Sequence, residues 1–429
     1  MATIKERDRD VIWHPYTPMK IWPEAIAIVK GDGVYLEDED GVRYIDAISS
    51  WWVNLHGHAH PYIAQKVSDQ MSVLEHSIFA GFTHEPAVRL AERLLGILPG
   101  EMKKIFYSDN GSTAVEVALK MALQYWKNKE VNRKKLVALQ HAYHGDTFGA
   151  MAVSGRSVFT EAFTDLLFDV EFIPFPYSGH EEKSFAALEE VLQGGDVAAF
   201  IVEPLVQGSA GMQMYPAAAV EKYFQLCKRY DALIIADEVM TGFGRTGPLF
   251  ACEQISTRPD IICLSKGLTG GAMPLGVTAC TIDIFNAFYD DDRNKMLYHG
   301  HSFTANPIAC TAALASLDLL LQSGCSERRQ QIAGAHVAFA QSVKTHKAVA
   351  DVRQTGTILA IELKTDTPTY HSHMRDMLYN FFLKRKIIMR PIGNIIYLIP
   401  PYCTSNTELD YIYRCITELL MQLNRSVTS

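Results

Sequence analysis

The chain has 429 residues, enough for a large domain with a smaller one appended; 48% are apolar and 21% charged, so a sizeable core needs no disulfides or metals. Forty basic and 48 acidic side chains leave a net charge of −8 without any Lys/Arg-rich run, which argues against nucleic acid or an anionic membrane as a partner. The eight cysteines, at 227, 252, 263, 280, 310, 325, 403 and 415, form no CxxC pair and read as buried, reduced thiols of a cytoplasmic protein. The charged start MATIKERDRD has no apolar signal-peptide core, and no run of about eighteen apolar residues occurs, so neither secretion nor a membrane span is expected.

The first sixty or so residues are rich in aromatics, Pro and Gly, and GDGVYLEDEDGVRYIDA (31–47) predicts short strands joined by acidic turns. From about 63 to 325, apolar runs alternate with amphipathic stretches. Lys104–Ser108, Leu136–Leu139, Ala198–Pro204, Ala232–Ala236 and Asp260–Leu264 read as buried strands, and Gly111–Trp126 and Ala217–Tyr230 have helical spacing. This alternation predicts an α/β fold with a mostly parallel sheet covered by helices on both faces. Beyond about 325 come a polar helical stretch, strands near 348–363 and 387–399, and a closing helix over Asn406–Asn424. The expected division is an N-terminal segment (1–62) contributing to a small α+β domain, a large domain (63–325) and the rest of the small domain (326–429).

Polar residues cluster just after the predicted strands. Asp109-Asn110-Gly111-Ser112 follows the first, Tyr143-His144-Gly145-Asp146 the second and Gln207 the third; Asp237 ends ALIIA and Lys266 ends DIICLS. Open α/β sheets bind ligands outside the carboxyl ends of their strands. Lys266 in CLSKGLTGG is placed for partial desolvation, which frees an amine for imine chemistry, although a strand-end lysine can also simply face solvent. Asp237 closes a buried strand and needs a cation, either the protonated ring nitrogen of pyridoxal phosphate (PLP) or a structural partner such as Arg245, unless it caps a helix. Asn110-Gly111-Ser112 before a helix suits a phosphate, as well as an ordinary N-cap, and Tyr143 suits stacking on a planar ring, as well as a core position. Trp51 and Trp52, if on a strand, point to opposite faces, so at least one requires a role outside the core.

Two other features carry less. His56-Gly57-His58-Ala59-His60 resembles a metal tract, but no cysteine or acid nearby completes it, and local hydrogen bonding is the expected role; no metal is expected. Gly242-Phe243-Gly244-Arg245-Thr246-Gly247 lacks the GxGxxG of a dinucleotide loop.

ADEVMTGFGRTG followed by LSKGLTGG resembles the signature of the class III, fold-type I PLP aminotransferases, and the likeness extends from HPYT at 14–17 to RPIGNIIYLIPPY at 390–402. His14–Thr17, Ser49-Ser50-Trp51-Trp52, Tyr143–Met151 and Arg390-Pro391 are similar to the branch that aminates 8-amino-7-oxononanoate for biotin. The resemblance implies a seven-stranded sheet between helices plus the small domain, and a homodimer with shared active sites. It implies that Lys266 bonds the PLP aldehyde and Asp237 the ring nitrogen. Gly111 and Ser112 would hold the phosphate, Tyr143 would stack on the ring and Gln207 would reach its phenolic oxygen. Tyr16, Trp51, Trp52 and Gly300 would line the substrate channel, Arg390 would take the substrate carboxylate, and Ser302 would reach the neighbouring subunit's phosphate. Gly300-His301-Ser302 departs from the family's Gly-Pro-Thr at its second and third residues. The amino donor stays open between S-adenosylmethionine and lysine. So do a different ω-aminotransferase acting on ornithine, 4-aminobutyrate or a diamine, a PLP racemase or decarboxylase, and a non-catalytic PLP-binding protein. Arg390 and the Trp pair favour the long-chain keto acid.

Overall fold

The computed structural model describes residues 2–22, 24–365 and 373–426. Its centre is a seven-stranded sheet, ordered Met102–Ser108, Gly276–Thr281, Ile261–Leu264, Leu233–Asp237, Val197–Val202, Lys135–Leu139 and Glu171–Ile173. All neighbours run parallel except Gly276–Thr281, which is antiparallel to both strands beside it. Side chains alternate between two buried faces, so the strands read as continuous apolar runs. Leu233 and Ile235 pack with the helix Gly111–Asn128, whereas Ile234 and Ala236 belong to the larger core on the opposite face.

The N-terminal strands Ile28–Asp32, Tyr35–Asp38 and Arg43–Asp46 form an antiparallel meander, and Ile387–Ile388 adds to it in parallel, with Ile45 opposite Ile387. A second antiparallel sheet joins Val349–Thr355, Ile358–Leu363 and Ile395–Leu398, and the helices Ser323–Val343 and Asn406–Ser426 accompany it. No single described helix is long and apolar enough to cross a membrane. Six cysteines are buried as expected, but Cys325 is only half-buried and Cys403 is exposed.

Three sequence-based expectations change. Ser49–Trp52 is a distorted helical turn rather than a strand, with Ser49, Ser50 and Trp52 all at positive φ. It still separates the two indoles, Trp52 at 7% exposure and Trp51 at 42%, through turn geometry instead of strand alternation. Arg245 does not pair with Asp237. It lies fully buried and donates to the backbone oxygens of Pro400 (2.8 Å) and Asn54 (3.2 Å), tying the N- and C-terminal segments to the large sheet. The histidine tract is not purely local either: His58 bonds Asp46 and Asn54, but His56 reaches Ser316 at 3.1 Å.

Arg245→Lys keeps the charge but removes the planar fork that reaches both carbonyls. It is expected to cost about 2–3 kcal/mol of stability, read from the midpoint of denaturant unfolding.

Candidate active site

The carboxyl ends of the central strands open on a cavity of about 390 Å³. Gly111, Ser112, Tyr143, Asp237 and Lys266, drawn from four strand ends, all line it. At one end the helix Gly111–Asn128 begins. Asn110 caps it by accepting from the Thr113 N–H at 3.0 Å, and the first turn presents N–H groups with no intrahelical acceptor. Backbone approaches closely here. A Cβ on Gly145 would lie 2.2 Å from Ser112 Oγ, and one on Gly111 2.8 Å from Val239 Cγ1. The result is a cradle of N–H groups and a hydroxyl at the positive end of a helix, suited to a phosphate.

Asp237 lies deeper. Its Oδ1 accepts from the Val239 N–H at 3.1 Å, and Oδ2 is 2.7 Å from His144 Nδ1. With Asp237 ionised, that nitrogen carries the proton. The backbone N–H of His144 donates to Ser154 Oγ at 2.9 Å, the ring is buried, and its Nε2 has no hydrogen-bond partner among the described residues. Glu203 faces the same space. Its two oxygens accept from the Tyr143 N–H (3.0 Å) and the Gly208 N–H (3.1 Å). Burial first, and then the Asp237 charge, push its carboxyl up to about 7.

Lys266 stands across the cavity, its Nζ 4.5 Å from the centre of the Trp52 ring. It is half-buried by area because it opens on the lumen, yet protein atoms surround it closely enough for desolvation to depress its pKa to about 8 against the pull of Asp237 and Glu203. Its φ of +43° is left-handed, a strain of about 1–2 kcal/mol for a residue with a side chain.

A narrower space of about 120 Å³ continues from Lys266, lined by Tyr16, Trp51, Trp52, Tyr143, Phe159 and Arg390. The Tyr16 and Trp51 rings are 5.6 Å apart, and the Arg390 guanidinium lies 4.8 Å from the Trp51 ring centre. Tyr16 donates its hydroxyl to Asp146. The Trp turn that forms this wall is pinned by Asp46, which accepts from Ser50 N at 2.6 Å, Ser50 Oγ at 3.0 Å and Ile48 N at 3.2 Å. Ser49 Oγ donates to the Ile399 oxygen at 2.7 Å, and Trp52 Nε1 to Tyr397 Oη at 3.1 Å.

Gln207 is a correction. It is fully buried, donates to the Gln140 oxygen at 3.1 Å and does not line the cavity; Glu203 occupies that wall instead. The strand at Val197–Val202 ends one residue before Glu203, so the aligned edge falls there, and the apolar run broken by a carboxylate in FIVEP is the sequence signal that marks it. His144 was visible in the motif, but only folding across to Asp237 gives it a partner. Gly300 and Ser302 lie exposed, outside both spaces in this chain.

An anion cradle, a buried carboxylate and a lysine with a lowered pKa surround one cavity, with Tyr143 at its wall. These residues fit PLP: Gly111 and Ser112 for the phosphate, Asp237 for the protonated ring nitrogen and Lys266 for the aldehyde.

The family model for class-III aminotransferases matches residues 18–420. The adenosylmethionine-8-amino-7-oxononanoate aminotransferase of Synechococcus elongatus is 47% identical over 420 residues, covering 96% of this chain and 99% of its own. The solved structure of the enzyme of that name from Methanocaldococcus jannaschii superposes with a TM-score of 0.92 at 37% identity, covering 96% of this chain and 98% of its own. An amine transaminase from an uncultivated Pseudomonas species, solved in its PLP-bound form, gives a TM-score of 0.90 at 30% identity over 96% of this chain and 98% of its own.

Only the neutral amine of Lys266 attacks an aldehyde. Loading of the cofactor-free chain with PLP is therefore expected to quicken as pH rises to about 8 and then level off, followed by absorbance. Glu203→Gln removes a charge that holds the Lys266 pKa up, so the midpoint should move to lower pH.

Proposed function

The chain belongs to the class-III aminotransferases, a PLP-dependent family, and from that premise we propose that it transfers the amine of S-adenosylmethionine to 8-amino-7-oxononanoate, forming 7,8-diaminononanoate for biotin. The observation that carries the reading is the corridor from Lys266 to Arg390. An elongated apolar acid needs apolar walls and one fixed cation far from its reacting carbon. Trp51, Trp52 and Tyr16 supply the walls, and Arg390 supplies a planar partner for the carboxylate. Amine donors and acceptors that lack a distant carboxylate gain nothing from Arg390, which sets the amine transaminases apart as the weaker reading.

Bound PLP supplies an aldehyde that exchanges amines and a ring that accepts the electron pair left when an α-proton departs. The chain's own residues do the rest. Gly111 and Ser112 bind the phosphate at the helix start, and Tyr143 covers the ring. Asp237, held by His144 and the Val239 N–H, keeps the ring nitrogen protonated. Lys266 Nζ would take the proton from the donor's amine-bearing carbon and deliver it to the former aldehyde carbon of the cofactor within the same half-reaction, and the second half of the ping-pong cycle would run that transfer in reverse onto the keto carbon of the acceptor. A pKa of about 8 leaves it able to do both near neutral pH. Trp52 packs against that amine and limits its access to water. Arg390 fixes the keto acid by its far end, so the reacting carbon lies at Lys266.

Gly300 and Ser302 enter the reading through a second copy of the chain. Met296, Tyr298 and Phe303 beside them are large, apolar and exposed, which supports a homodimer in which this loop meets the partner's phosphate cradle. Sedimentation should give a dimer, and Phe303→Asp should weaken it.

Lys266→Ala is expected to abolish turnover and the absorbance of lysine-bound cofactor together. Arg390→Ala should raise KM for the keto acid roughly 10- to 100-fold, while bleaching by the donor changes little. Turnover retained in Lys266→Ala would refute the assignment.

A further inference from the structure

Within the tract His56–His60, the bonds of His58 lead back to the substrate wall. The turn that carries the two indoles is a poor conformation for its residues: Ser49, Ser50 and Trp52 sit at φ of 52°, 58° and 66°, and Ser50 combines its φ with a ψ of −92°. Hydrogen bonds must hold it, and several converge on one carboxylate. Asp46 Oδ1 accepts from the Ile48 N–H, and Oδ2 from the Ser50 N–H and hydroxyl. Asp46 is fully buried, so each of its lone pairs needs a donor. A further donor is His58 Nε2, 2.9 Å from Oδ2.

The His58 ring is aimed by its surroundings. The Gly57 N–H donates to Asn54 Oδ1 at 2.7 Å, which leaves the amide Nδ2 facing His58 Nδ1 at 3.2 Å. An amide nitrogen only donates, so Nδ1 accepts and the proton stands on Nε2, toward Asp46. Asn54 is held in turn by Arg245, which donates to its backbone oxygen. The His58 backbone pairs with Gly33 in both directions, at 2.6 and 3.2 Å, and a Cβ on Gly31 would lie 2.5 Å from His58 Cβ. Arg245 adds its charge near Asp46, but its hydrogen bonds go to backbone oxygens. Support therefore runs from Arg245 through Asn54 and His58 to Asp46 and the turn. His58 itself lines neither the cofactor cavity nor the corridor.

We propose that His58 is a positioning residue for the substrate corridor: through Asp46 it sets the Trp51 and Trp52 indoles, and with them the line from Lys266 to Arg390. Trp52 packs on the Lys266 amine and Trp51 on the Arg390 guanidinium, so a shift of the turn disturbs the corridor at both ends. An acid fixed by its far end reaches the reacting group only if the walls between them keep their place. The inference rests on reading that corridor as the seat of the long-chain keto acid.

His58→Leu removes the donor at similar volume and should raise KM for 8-amino-7-oxononanoate about tenfold in the pyridoxamine form. His58→Gln, whose amide nitrogen can reach Asp46, should restore most of it. In a Trp51→Ala background the same substitution should change KM by no more than about twofold, because the indole it places is gone. Acrylamide quenching of holoenzyme fluorescence, with Trp52→Phe as the reference, reads the wall without any substrate: Trp52 should become accessible in His58→Leu and stay shielded in His58→Gln. A fall in kcat at unchanged KM, an undiminished KM effect without Trp51, or unaltered quenching would overturn the positioning role. Should His58→Leu fail to fold, Ser50→Ala, at an exposed position and removing one donor to Asp46, should raise the same KM about threefold, and an unchanged KM there would overturn it too. A parent enzyme that does not aminate the keto acid would overturn the substrate reading alone, and the quenching would still decide the role of His58.

Discussion

Two carboxylates and a lysine open on one small cavity, and the rest of the architecture answers to that constraint. Each charge withdrawn from water costs several kcal/mol unless neighbours replace the lost hydration. Asp237 is met by His144 and a backbone N–H, and Glu203 by two backbone N–H groups, Tyr143 from the loop after the neighbouring strand and Gly208 from the loop after its own. Lys266 is met by the field of both acids. None of these partners is close in sequence to Lys266. They converge because parallel strands deliver their carboxyl ends, and the loops that follow, to the same edge.

The electrostatics also bring the two groups into one pH range. Burial lifts Glu203 to about 7 and lowers Lys266 to about 8, so the two ordinary pKa values approach each other. Near neutral pH the lysine can then accept or release a proton at small energetic cost. Glu203 reinforces this arrangement: while ionised it raises the affinity of Lys266 for its proton, and when protonated it releases that hold.

Backbone strain occurs beside the same cavity as well as elsewhere in the chain. Lys266, Ser49, Ser50 and Trp52 all adopt positive φ, which residues with side chains rarely do. The Trp turn is kept in that shape by Asp46 from the preceding strand and by Ile399 and Tyr397 from the far end of the chain. Arg245 locks the same three regions from below. The substrate wall is therefore built from the two ends of the chain clamped onto the large sheet, and one short turn supplies both of its indoles, Trp52 buried and Trp51 exposed.

The sequence by itself determined the sheet and the residues that pay out chemistry at its edge. Buried strands are continuous apolar runs, and a lone Asp or Lys ending such a run is conspicuous because solvation forbids it elsewhere; that made Asp237 and Lys266 legible together with the Gly111-Ser112 helix start. Only the tertiary structure decided the partners. It gave Asp237 to His144 rather than Arg245, put Glu203 in the wall where Gln207 was expected, and turned the Trp pair into a strained helical turn. It also joined His58, by way of Asp46, to that same turn. Periodicity reports which residues are buried, because burial depends on local pattern. Which buried groups meet depends on strand order and loop path, and those are fixed by long-range packing that no local window contains.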